Sequence, residues 1–208
     1  MYGHIDYINL LPFYIFIKKY YHNYTIKKSY PSKINEMFEK KIVDAAFISS
    51  IKSKNKTCLD AGIIAYKKVL SVLVCKGENK DDFESNTSNI LAKILNQQGE
   101  IIIGDKALKR FYHDTSCKDL AKLWFEKYNL PFVFATFCTN KHHKKYKKLI
   151  SHFLKQKIYI PNYILDKYAK KHNLPKKTIK NYLKLISYKI SYKEKQSLKL
   201  FLKKSNKL

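Results

Sequence analysis

The side chains best placed to do chemistry in this sequence are neutral, and they stand at the ends of apolar runs. Asn9 follows Tyr2–Ile8, and Ser49 and Ser50 follow Ile42–Ile48. Ser71 interrupts Val69–Cys75, Thr87 and Ser88 open a helical pattern, and Gly104-Asp105 close Ile101–Ile103. Open α/β sheets bind ligands at the ends of their strands. A helix start with free N–H groups and hydroxyls suits a carboxylate. Each residue also has a plainer role: Thr87 or Ser88 as an N-cap, Asn9 as a turn residue, Asp105 as a turn or cap residue rather than a base. Ser71 is either satisfied within the core or aimed into a cleft. Together they describe a site that binds and polarises an anion.

Other chemistries lack their residues. The sequence has no G-x-G-x-x-G, Walker loop, H-E-x-x-H or G-x-S-x-G, so nucleotide, metal and nucleophile-triad mechanisms are not indicated, and no cofactor is expected. The seven histidines show no ligand spacing; His4, in the first apolar run, is near the proposed site, where a satisfied structural histidine is the commoner case. Cys58, Cys75, Cys117 and Cys138 form no C-x-x-C pair, so neither a metal knuckle nor a redox motif is indicated, and Cys75 and Cys138, inside apolar runs, are expected to be reduced thiols buried as small hydrophobes.

The formal net charge of +26 raises nucleic acid or an acidic membrane as a partner. Arg110 is the single arginine among 42 basic residues, however, and arginine makes the bidentate contacts of nucleic-acid readers. Scattered lysines with abundant Ile, Asn and Tyr describe a solvated surface and an AT-rich coding bias. Neither a nucleic-acid nor a membrane partner is expected. No stretch is apolar enough to span a bilayer, and His4 and Asp6 interrupt the N-terminal apolar run, so a cytoplasmic protein is expected.

The elements that would position these residues alternate. Tyr2–Ile8, Tyr24–Tyr30 and Ile42–Ile48 read as strands, separated by helices over Leu11–Tyr21 and after Ser32, its expected cap. Ile63–Ala65 and Val69–Cys75 follow as strands. The polar stretch 76–84 reads as a lobe boundary. Beyond it come a helix carrying Ile90, Leu91, Ile94 and Leu95, a strand at Ile101–Ile103, a helix over Lys118–Tyr128 and a strand at Phe132–Phe137. After residue 140 the pattern is helical alone, beginning with the stripe Tyr146, Leu149, Ile150, Phe153 and Leu154. The fold class is α/β.

The motifs also carry a resemblance. Gly3-His4-Ile5-Asp6-Tyr7-Ile8-Asn9-Leu10-Leu11-Pro12-Phe13 resembles the opening of the chorismate dehydratases of the futalosine route to menaquinone. Asp44–Ser50, Val69-Leu70-Ser71-Val72, Ser85-Asn86-Thr87-Ser88, Ile103–Leu108 and Leu130–Ala135 match that family's elements in the same order. Lys67-Lys68 stand where the family commonly has Gly-Pro. The resemblance implies a type II periplasmic-binding-protein-like fold: two lobes, each with a mixed or parallel sheet flanked by helices, and a ligand cleft between them. Lobe one would comprise 1–77 and 138–208 and lobe two 78–137, with crossings near 76–84 and 136–140.

It also implies a lyase that removes water from the small-molecule substrate chorismate, as a monomer or weak dimer. Asn9 would be the catalytic polar contact, with Ser71, Thr87 and Ser88 holding carboxylates and Ser49 lining the cleft. The alternatives are a non-catalytic carboxylate-binding protein of the same fold and the related 1,4-dihydroxy-6-naphthoate synthase.

Overall fold

The structure is a computed structural model that describes residues 1–114 and 116–208. Strand β1 (Tyr2–Ile5) is buried along its whole length and stops short of the expected Ile8. Ile8–Leu10 instead coil into a 3-10 turn that feeds helix α1 (Leu11–Tyr20), with Pro12 in its first turn where a missing N–H costs nothing. Strand β2 (Ile26–Ser29) and helix α2 (Pro31–Glu39) follow. Tyr30 occupies the N-cap of α2 without a side-chain bond, and Pro31 starts the helix, so Ser32 is not its cap. Strands β3 (Ala45–Ser49) and β4 (Cys58–Ala65) complete the first half.

The middle of the chain holds β5 (Val72–Cys75), α3 (Asn86–Ile94), β6 (Glu100–Ile103), α4 (Gly104–Phe111), β7 (Lys118–Asp119) and α5 (Leu120–Tyr128). Then come β8 (Phe132–Thr139), α6 (His143–Lys155), α7 (Asn162–His172), α8 (Lys176–Leu183), β9 (Ile186–Lys189) and α9 (Tyr192–Ser205). The expectation of helices alone after residue 140 is therefore corrected. β9 is a four-residue strand pairing antiparallel with β4 at the sheet edge, too short to show a period of two.

The larger sheet has six strands in the order β2-β1-β3-β8-β4-β9 and the smaller one three, β6-β5-β7. β1 pairs parallel with β2 and β3, whereas β8 runs antiparallel to β3 and β4, so the larger sheet is mixed. The smaller sheet is wholly antiparallel, unlike the mixed or parallel arrangement expected.

Sheet membership also moves the expected lobe boundaries. The chain leaves the larger sheet between Ala65 and Val72 and rejoins it at Phe132, upstream of 76–84 and 136–140. The polar stretch 76–84 belongs to a connection of the smaller sheet: Lys80 bridges Glu100, and buried Asp82 accepts from the Ile103 N–H at 3.1 Å. A hydropathy break marks a surface loop whether or not the chain changes sheet there.

One carboxylate fixes the outward crossing. Asp119, buried at the start of α5, accepts from Val69 N (2.8 Å) and Leu70 N (2.7 Å) with one oxygen and from Ala121 N (2.9 Å) and Lys122 N (3.1 Å) with the other. It caps α5 and pins the linker, where Leu70 adopts a left-handed φ of +61°. The cysteine expectation is corrected too. The structure pairs Cys58 with Cys138 across neighbouring strands, and Cys75 with Cys117 beside the smaller sheet. Spacing along the chain could not show pairs 80 and 42 residues apart.

Two measurements follow. Asp119→Ala strands four backbone donors and should cost on the order of 3 kcal/mol or more in urea unfolding; a change under ~0.5 kcal/mol would contradict the clamp. Thiol titration of protein unfolded without reductant should find no free thiol, and after reduction all four cysteines should react.

Candidate active site

A cavity lies between the two sheets, lined by polar Asn9, Ser49, Ser71, Ser85 and Ser88, by Tyr7 and Gly104, and by apolar residues including Ile63, Val72 and Phe134. It is narrow, with about 40 Å³ of room for the centres of water-sized molecules. Among the described residues, none that lines it is charged. An anion held here would meet hydroxyls, amides and backbone N–H groups.

Each polar side chain is held from behind. Ser49, at the end of β3, is gripped at both ends of one amide: Asn35 Nδ2 donates to Ser49 Oγ (2.8 Å), and Ser49 N donates to Asn35 Oδ1 (2.9 Å). Ser71, just past the Asp119 clamp, shares a 2.8 Å hydrogen bond with the Tyr182 hydroxyl from α8. Ser88 lies in the first turn of α3, its Oγ 3.0 Å from that of Ser85, and Ser85 caps the helix by accepting from Ser88 N. The N-cap is thus Ser85, not Thr87 or Ser88.

Asn9 sits in the 3-10 turn after β1. Ile8 N donates to Asp105 Oδ1 (3.0 Å), and the Tyr188 hydroxyl donates to the Asn9 carbonyl. The Asn9 side-chain Oδ1 is buried with no protein partner. An unmatched buried acceptor is costly unless a ligand or water satisfies it.

Four of the five residues singled out from the sequence therefore meet in one cavity: Asn9, Ser49, Ser71 and Ser88. Thr87 is the exception, because its Oγ1 turns away to accept from Ile51 N at 3.3 Å. Of the weaker candidates, Ser50 donates to the Val133 carbonyl at 2.6 Å. His4 is a core residue, its Nδ1 3.2 Å from the Tyr2 hydroxyl, and burial holds its pKa down to about 3. Ser85, Tyr7, Tyr182 and Tyr188 went unnoticed as site residues. Ser85 alone carried a signal, as the first hydroxyl of Ser85-Asn86-Thr87-Ser88; the tyrosines come from contacts made across the fold.

Gly104, the first residue of α4, has a left-handed φ of +71°, and a Cβ there would stand 2.6 Å from the Tyr7 ring. The close approach lets Tyr7 pack over the helix start. Behind it, Asp105 takes the Ile8 N–H and lies 3.3 Å from His172 Nδ1, so its carboxylate joins α4 to the Asn9 turn and to α7. Burial raises the Asp105 pKa to about 7, against the lowering effect of the Ile8 N–H. Arg110, the one arginine, pairs with Asp114 at the far end of α4 and does not line the cavity.

The menaquinone biosynthesis family model matches residues 2–100 and 79–207, nearly the whole chain. The chain belongs to that family. Among characterised relatives, chorismate dehydratase from Campylobacter jejuni subsp. jejuni is 49% identical, over 98% of this chain and 96% of that one. Solved structures share the fold at much lower identity. An Archaeoglobus fulgidus protein superposes with a TM-score of 0.69 at 13% identity, covering 99% of this chain and 96% of that one. The periplasmic aliphatic sulphonate binding protein SsuA from Escherichia coli gives 0.60 at 11%, covering 99% and 84%. The fold of this family member is thus periplasmic-binding-protein-like.

The raised carboxyl yields a prediction with a fixed sign. The folded protein holds the Asp105 proton up to about pH 7, whereas an unfolded aspartate loses it near pH 4. Stability from this group is therefore present at pH 4 and falls as pH rises to 7. Asp105→Asn, which keeps shape and an acceptor for Ile8 N, should gain a few kcal/mol on wild type between pH 4 and 7 in urea titrations. A pH-independent difference would contradict the assignment.

Proposed function

We propose that the protein is a chorismate dehydratase, a lyase that removes water from chorismate to give 3-[(1-carboxyvinyl)oxy]benzoate, and that it serves the futalosine route to menaquinone. The observation that carries this reading is the uncharged cleft whose lining residues hold two buried, unmatched polar atoms, Asn9 Oδ1 and the Tyr7 hydroxyl oxygen, in a chain 49% identical to a chorismate dehydratase. The chemistry suits such a cleft. The C3 hydrogen of chorismate is acidified through the C1=C2 bond by the ring carboxylate, and departure of the C4 hydroxyl leaves an aromatic ring. Orientation, stabilisation of the enolate-like carboxylate and exclusion of water supply most of what the reaction needs.

In this reading Asn9 faces the reacting edge of the ring. Its amide oxygen can accept from the C4 hydroxyl and orient it for departure. The Ser85–Ser88 turn, with the N–H groups that open α3, would hold one carboxylate, and Ser71 would donate to the substrate as well. Thr87 serves the site by fixing α3 to Ile51 rather than by touching the ligand. No lining carboxylate is available as a base, so the enolpyruvyl carboxylate of the substrate takes the C3 proton and, as the carboxylic acid, gives it to the departing C4 hydroxyl, which leaves as water. No cofactor enters this scheme.

The cleft is completed within one chain, so a monomer suffices for activity. Among the described residues, no helix is long and apolar enough to cross a membrane. A cytoplasmic location accords with a water-soluble substrate; both disulfides would then meet a reducing milieu, where the same cysteines remain packed against the sheets.

Purified protein mixed with chorismate, without added cofactor or metal, should yield a product lighter by one water with an aromatic ultraviolet spectrum. Asn9→Ala should lower kcat at least a hundredfold with the fold retained, a loss comparable to removing one oriented polar group from an active site. Unchanged chorismate from folded wild type would overturn the assignment in favour of a binding role or a related substrate.

A further inference from the structure

Tyr7 lines the cavity from the turn that also carries Asn9. The Leu10 N–H donates to the Tyr7 carbonyl at 3.1 Å, which closes that turn. The Tyr7 ring lies so near Gly104, the first residue of α4, that a side chain there would collide with it. Gly104 is itself held, donating its N–H to the Ser71 carbonyl at 2.8 Å. The ring is thus fixed against backbone, yet its hydroxyl oxygen is buried with no hydrogen-bond partner among the described residues. Two carboxylates that act on it electrostatically, Glu84 and Asp82, are engaged by Lys106 at 2.8 and 2.9 Å. A buried tyrosine hydroxyl ordinarily finds a partner, and here a ligand is the group left to supply one.

Two unmatched atoms therefore belong to residues of one turn and one narrow cavity: Asn9 Oδ1 and the Tyr7 hydroxyl. Their capacities differ. Asn9 Oδ1 can only accept, whereas a phenol donates one hydrogen bond. Burial, reinforced by the negative charge of Glu84 and Asp82, raises the Tyr7 pKa well above its ordinary value, so the phenol keeps its proton and stays a donor. A carboxylate could accept from Tyr7 but has nothing to give Asn9. An alcohol satisfies both, donating to one and accepting from the other. Chorismate has a single alcohol, and it is the C4 hydroxyl that leaves.

We propose that Tyr7 is a second catalytic residue at the leaving group: its hydroxyl donates to the C4 oxygen of the substrate while Asn9 Oδ1 accepts the C4 hydroxyl proton. The inference rests on the dehydratase reading and extends it to the departing atom. As the C4–O bond breaks, its electron pair stays with oxygen, and the Tyr7 hydrogen bond strengthens with that charge. The proton that completes the water comes from the enolpyruvyl carboxylic acid, so Tyr7 transfers none and ends the reaction as it began. A contact that grows toward the transition state acts on kcat more than on KM.

Tyr7→Phe keeps the ring on Gly104 and deletes only the hydroxyl. It should lower kcat on chorismate about tenfold to a hundredfold, with a smaller change in KM. The product 3-[(1-carboxyvinyl)oxy]benzoate has no C4 hydroxyl, so calorimetric titration should give it the same Kd on Tyr7→Phe as on wild type. In urea, the ligand-free variant should be no less stable than wild type, since the deleted group has no partner to lose. A kcat near that of wild type or weakened binding of the product would overturn the proposal. So would a loss of stability, which would reveal a partner for the hydroxyl within the fold. Wild type that leaves chorismate unchanged would defeat the dehydratase reading, and titration with chorismate would then decide the contact. Tyr7→Phe should in that case bind chorismate about tenfold more weakly and the product no differently; equal binding of chorismate would overturn the contact as well.

Discussion

The Asp119 carboxylate fixes the point at which the chain passes from one sheet to the other, and the site is built outward from that point. Four backbone N–H groups converge on it, two from the linker and two from the first turn of α5. With Val69 and Leu70 held, the next residue, Ser71, has its position set to within a hydrogen bond. Opposite it, the end of β3 brings Ser49, and the turn after β1 brings Asn9. Charge is spent behind the wall of the cleft and kept out of its lining: Asp119 and Asp105 both bind backbone groups a residue or two from a cavity residue.

That division suits a reaction whose substrate carries its own charges. A lining carboxylate would repel chorismate, and a lining lysine would bind ground state and transition state alike, which adds no rate. Oriented amides and hydroxyls can be aimed at the atoms where charge changes. The net charge of +26 lies on the exterior, where it favours approach of an anion without fixing its orientation.

The sequence made part of this legible. Strands β1, β3 and β6 and the residues at or near their ends were readable because short apolar runs stop abruptly at polar residues. The places of Asn9 and Ser49 in the common cavity follow from that rule, whereas Ser71 interrupts an apolar run and Ser88 opens a helix. What escaped was whatever depends on a partner distant in sequence. β9 is four residues long and is a strand because β4 lies beside it. The sheet crossing hides in an ordinary linker because its determinant, Asp119, is 50 residues away. Thr87 carries the right hydroxyl, but its side chain is claimed by Ile51, which hydropathy cannot show. The loud signals, +26 charges and four cysteines, said least about function.

The measurement that bears most directly on the account is a crystal structure with the dehydrated product, 3-[(1-carboxyvinyl)oxy]benzoate, bound. The account predicts the ring in the cleft between the two sheets, with one carboxylate on the Ser85–Ser88 turn. The Asn9 amide should lie within hydrogen-bonding distance of the ether oxygen or of a water at the vacated C4 hydroxyl position. A product bound elsewhere, or in the cleft with Asn9 facing neither group, would contradict it.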